Sequence, residues 1–79
     1  MGKEIVVFST ALCSPCESLK RFLKEEGVEF KVRDLMMDSE AADLMEENGI
    51  RSAPVLCIDG RFLSGKDLSQ DNLRKELNL

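Results

Sequence analysis

Apolar residues fall in short bursts along this chain, and their period changes from one burst to the next. The run at 4–8, EIVVF, is almost uninterrupted and rich in β-branched residues, which predicts a buried strand. From 15 to 26 the period lengthens. Leu19, Phe22 and Leu23 fall at i, i+3 and i+4 and predict one apolar helix face. Glu17, Arg21 and Glu25 are spaced for i, i+4 ion pairs on the wet face, and Gly27 is placed as a C-cap. Residues 29–35 alternate, Phe30 and Val32 against Lys31 and Arg33, and predict a second strand. Asp38 or Ser39 is placed to cap a helix over 40–48 that turns Ala41, Leu44 and Met45 inward, and Asn48-Gly49 end it. PVLCI at 54–58 is nearly all apolar and predicts a central third strand. Asp59-Gly60 predict a two-residue hairpin turn into the returning strand Arg61-Phe62-Leu63. Ser69 is placed as the N-cap of a last helix, with Leu68 and Leu73 as a hydrophobic staple and Leu73 and Leu77 facing the core.

The element order is therefore βαβαββα. Right-handed crossovers predict the first and third strands as parallel neighbours, closed by an antiparallel hairpin. The expected fold is α/β: a four-stranded mixed sheet flanked by three helices, in the order of the small thioredoxin fold. No repeat, linker or low-complexity stretch interrupts it, so residues 1–79 are expected to form one domain.

Composition narrows the function classes. The net charge is −4 and no Lys/Arg cluster exceeds Lys20-Arg21, which argues against nucleic acid as a partner. Without Trp or Tyr, a base-stacking platform is also unsupported. No apolar run approaches a membrane span. The opening run is too short for a signal-peptide core, and Val6 stands where acylation of Gly2 would want Ser or Thr. These features predict a cytoplasmic protein, off the membrane and monomeric. Structural disulfides are rare in that compartment, so three cysteines call for another explanation.

Cys13 and Cys16 supply one. Cys13 follows the first strand, and Cys16 lies in the first turn of the next helix, where free N–H groups and the helix dipole stabilise a thiolate. The Cys13 thiol is thus expected below the free value of about 8.5. Pro15 suits a helix start and Ser14 leaves the sulfurs accessible. Cys13 would attack a partner disulfide and Cys16 would resolve the mixed disulfide. Structural zinc needs four ligands, whereas this chain has no histidine and one further cysteine; no metal site is expected. A strand, C-x-x-C, helix context is the one that marks a redox pair.

FSTALCSPC, the Ser52-Ala53-Pro54 step and Ser64-Gly65 resemble the glutaredoxin and NrdH-redoxin branch of the thioredoxin superfamily, over about residues 4–77. The resemblance implies a thiol–disulfide oxidoreductase with Cys13 as nucleophile and Cys16 as resolver, acting through a redox-active disulfide with no bound cofactor. It also implies a cis Ala53–Pro54 bond beside the cysteines. A substrate surface would be drawn from Thr10, Pro15, Ser52, Ala53, Pro54, Ser64, Gly65 and Lys66. Implied partners are disulfide-containing client proteins, ribonucleotide reductase among them, and thioredoxin reductase or glutathione as electron donor. The alternative within the resemblance is an iron–sulfur cluster bridged between two chains with glutathione. The chain departs from glutathione-dependent members where Thr10 replaces a basic residue and C-S-P-C replaces C-P-Y-C.

Other polar and sulfur-bearing residues read more plainly. Cys57, in the third strand, is expected as a small core residue. Of Met36 and Met37, one is expected to fill the core and one to be exposed, and Glu17 is expected to be solvated.

Overall fold

The computed structural model describes residues 4–79, so Gly2 and its acylation lie outside the described residues. The elements are β1 (Ile5–Ser9), α1 (Ser14–Glu25), β2 (Lys31–Asp34), α2 (Ser39–Glu47), β3 (Val55–Ile58), β4 (Arg61–Ser64), a 3-10 turn (Gly65–Leu68) and α3 (Gln70–Glu76). The four strands form one mixed sheet in the order β2-β1-β3-β4.

β1 and β3 are neighbours, as expected, but they run antiparallel; the parallel pair is β1 with β2. The crossover rule governs β1-α1-β2, where the chain must come back to the end of the sheet at which β1 began. It does not govern the next connection. Residues 48–54 can reach about 23 Å when extended, more than the roughly 13 Å length of α2. The chain uses that reach to re-enter at the end of the sheet where β1 ends, with Val55 opposite Phe8.

Strand parity sorts the core onto two faces. Ile5, Val7, Leu56, Ile58 and Leu63 pack with Leu19, Phe22, Leu23 and Leu73 of α1 and α3. Phe8 and Val55 pack with Ala41 and Met45 of α2 on the other side. Phe30 is partly buried against the first cluster, while Val32, on edge strand β2, is exposed.

Local chemistry sets the ends. α1 closes with Gly27 at φ +73°, where the Gly27 and Val28 amides reach back to the Lys24 and Leu23 carbonyls at 3.1 and 2.9 Å. In the hairpin, Asp59 and Gly60 have φ of +49° and +88°, both positive as this tight turn requires. Asp38 caps α2 by accepting the Ala41 amide at 3.0 Å, and Ser69 caps α3 by accepting the Asn72 amide at 3.3 Å.

Three expectations are corrected. Glu17 pairs with Lys20 at i, i+3 (2.8 Å), and Arg21 takes no part in an ion pair among the described residues. Met36 and Met37 are both exposed, because the turn after β2 is tied down by Asp34 and Leu35 takes the inward place. Cys57 is half-buried, packed against the second cluster rather than enclosed within it.

Candidate active site

The site is built where β1 ends. Ser9 is buried, and after it the chain turns through Leu12 at φ +55° into Cys13, which has extended backbone (φ −112°, ψ 101°) and is the N-cap of α1. Its Sγ accepts the Cys16 amide at 3.1 Å, and its carbonyl accepts the Glu17 amide at 3.1 Å. The cysteine is therefore its own helix cap: the sulfur takes the place usually held by a Ser or Asp oxygen. A negative sulfur there faces a donated N–H and the positive end of the helix dipole.

Cys13 and Cys16 form a disulfide, with Cα atoms 5.2 Å apart. The two halves of the bond differ. Cys16 is wholly buried, one turn into the helix, whereas Cys13 is partly exposed at its mouth. An incoming sulfur can thus reach Cys13 and not Cys16 without displacing packed side chains.

The antiparallel direction of β3 completes the site. Because Val55 pairs with Phe8, Pro54 arrives beside the end of β1 and the start of α1. Pro54 is buried and the Ala53–Pro54 bond is cis, as the resemblance implied. An open groove of about 540 Å³ lies along this side, between α1, the Ser52–Pro54 segment and the turn into α3. Pro15, Ser52, Ala53, Pro54 and Gly65 line it; Thr10, Ser64 and Lys66 do not. Ser18, Phe22, Leu68 and Gln70 also line it, and sequence reasoning missed them. Ser18 and Phe22 were within reach, since they lie three and seven residues after Pro15 on one helix face. Gln70 carried no such signal, because its place depends on how α3 docks.

Cys13 itself borders a second, shallower hollow on the outer flank, with Leu12, Ser14, Glu17, Ser18 and Arg21. The Lys20 ammonium hydrogen-bonds the Glu17 carboxylate and holds its pKa below the usual range. Among the described residues, no group of three or more His, Cys, Asp or Glu is gathered to hold a metal. No helix among them is long and apolar enough to cross a membrane.

The glutaredoxin family model matches residues 5–63. A glutaredoxin of Vernicia fordii is 37% identical over 70 residues, covering 84% of this chain and 67% of that protein. The chain thus spans about two thirds of that plant relative. Among solved structures, the thioredoxin-like protein BC3987 superposes with a TM-score of 0.79 at 29% identity, over 91% of this chain and 97% of that one. The NrdH-redoxin of Escherichia coli, a glutaredoxin-like protein with a thioredoxin-like activity profile, gives 0.77 at 25% identity, over 87% and 91%. A buckwheat glutaredoxin in complex with glutathione gives 0.74 at 26% identity, over 94% and 71%.

Proposed function

Since the chain belongs to the glutaredoxin family, whose members are thiol–disulfide oxidoreductases, we propose that it reduces protein disulfides through Cys13 and Cys16. In the reduced protein the Cys13 thiolate attacks one sulfur of the client disulfide. A mixed disulfide forms and the client's other sulfur leaves as a thiolate, which takes up a proton. Cys16 then gives up its proton and attacks Cys13 Sγ. The client is released as a dithiol and the internal disulfide is restored, for two electrons and two protons in all. The observation that carries this reading is the asymmetry of the pair: a partly exposed, amide-capped Cys13 against a buried Cys16.

Trapping tests it. Cys13→Ser abolishes reduction, whereas Cys16→Ser still attacks and accumulates a mixed disulfide that mass spectrometry localises to Cys13. Adducts on Cys16 of the wild type would reverse the assignment.

The groove is the natural seat for an extended client segment. The backbone of Ser52 and Ala53 would pair with it, while Pro15, Pro54 and Gly65 shape the walls. Thr10, Ser64 and Lys66 would act from the rim. The alternative, a glutathione-bridged iron–sulfur cluster, would show as a visible absorption band on anaerobically purified protein. For the electron donor, a thioredoxin-type reductase is favoured over glutathione. Thr10 offers no charge to a glutathione carboxylate, and an interaction with a charged group is worth about 1.5–3 kcal/mol. The likeness to an NrdH-redoxin points the same way, and makes a ribonucleotide reductase the client to try first. Thr10→Lys should raise glutathione-dependent turnover. Efficient wild-type turnover with glutathione, without response to thioredoxin reductase, would overturn the donor assignment.

A further inference from the structure

Leu12 is out of keeping with its surroundings. Among the described non-glycine residues, only Leu12, Asp59 and Asn78 have positive φ. Asp and Asn tolerate that conformation through their short polar side chains, and here they occupy a hairpin turn and a helix end. A leucine gains no such help. Its side chain is also fully exposed, at 105% of the reference area, so no packing within the chain compensates. Residues in such conformations persist where surrounding structure imposes them, and they gather at working sites. Leu12 stands next to Cys13 and borders the same outer hollow.

Arg21 forms the far side of that hollow. It is exposed and has no ion-pair partner among the described residues: Glu17 is held by Lys20 at 2.8 Å, and no ion pair joins Arg21 to Glu25. Lys24 follows it along the same strip of α1. Glu17, Lys20, Arg21 and Lys24 border one hollow on this flank, three cations with a single carboxylate, so the strip is locally positive on a chain of net charge −4, with Glu25 one turn further along the helix. An acidic partner is repelled by the chain as a whole and attracted here, so charge would orient encounters toward Cys13. The exposed Met36 and Met37 follow β2, which is parallel to β1 and ends at the same end of the sheet, and add adaptable apolar surface there.

We propose that the outer flank of the cysteine pair, with Leu12 as apolar anchor and Arg21 as anion contact, docks client segments that carry an apolar and an acidic residue beside their disulfide. The proposal rests on the disulfide-reduction reading and names the partner chemistry for it. Leu12 and Arg21 are specificity residues here; the chemistry stays with Cys13 and Cys16.

The test uses the full chain, reduced with dithiothreitol and freed of it, in single turnovers. Two peptides of equal length bear an intramolecular disulfide, flanked by Leu-Glu in one and Leu-Lys in the other; hydroxyethyl disulfide is the small neutral reference. The acidic peptide is expected to react about fivefold faster than the basic one, the scale of one exposed ion pair. Arg21→Glu should invert that ratio. Leu12→Gly keeps positive φ accessible and removes the anchor. It should lower both peptide rates at least about fivefold relative to the hydroxyethyl disulfide rate. Equal rates for the two peptides, a preference that survives Arg21→Glu, or a Leu12→Gly effect as large on hydroxyethyl disulfide would each overturn the docking assignment. Failure of the wild type to reduce hydroxyethyl disulfide would instead bring down the reading beneath it.

Discussion

The two faces of the sheet are unequally covered. On one, α1 and α3 bury Leu19, Phe22, Leu23 and Leu73 against five strand residues in a continuous cluster. On the other, the 9-residue α2 buries only Ala41 and Met45 against Phe8 and Val55. Around them Val6, Leu35, Leu44, Ile50, Cys57 and Phe62 remain half-covered. Part of that shortfall is met by other contacts: Phe8 and Phe62 pack with ring centroids 6.1 Å apart, and Arg33 lies 5.7 Å above Phe8. The difference explains where the chemistry is rooted. The disulfide helix belongs to the thick face, where buried Cys16 continues the apolar stripe into Leu19 and Leu23. Cys13 can project at the helix mouth because the helix beneath it is firmly held. The thin face carries no part of the cysteine site and should tolerate more change.

Four variants sharpen or break that contrast. Leu23→Ala, in the middle of the thick face, should cost about 3–4 kcal/mol in urea unfolding, because a fully enclosed site relaxes poorly around the void. Met45→Ala should cost about 2 kcal/mol, since neighbours on the thin face can settle into the space. Equal losses would remove the distinction. Cys57→Ala should cost about 1 kcal/mol or less while disulfide reduction stays near wild type. A folded Cys57→Ala protein that has lost activity would bring the thin face into the chemistry.

The smallest effect concerns Asp38, which joins β2 to α2 through Arg33 at 2.8 Å while capping the helix. The Arg33 hydrogen bond, then the Ala41 amide, hold the Asp38 carboxyl below its ordinary range. Its folded pKa is therefore lower than its unfolded one. The stabilisation is present above the unfolded value of about 3.9 and lost as pH falls through the folded value. Asp38→Asn should melt a few degrees below wild type at neutral pH, with the gap closing in thermal melts below about pH 4. A gap unchanged down to pH 2 would show that the charge contributes nothing there.

Sequence by itself determined the elements and the reactive pair. Periods of 2 and 3.6, Asp38 and Ser69 as caps, and the Asp59-Gly60 turn depend on neighbours a few residues apart, so they read directly from the chain. The position of Cys13 between a strand and a helix start is equally local, and so is the effect of a helix end on a thiol. Tertiary structure decided the rest. The direction of β3 depends on where a free connection re-enters the sheet, and that choice brings Pro54 beside the end of β1 and into the groove that Pro15 also lines. The exposure of Met36 and Met37 depends on whether Leu35 fills the inward place first. Glu17 is taken by Lys20 rather than Arg21, a competition between two spacings that the sequence allows equally. The positive φ of Leu12 lies in the link between β1 and α1 and has no signal in the local pattern. Each of these depends on which distant groups compete for one position, and a linear pattern does not record that competition.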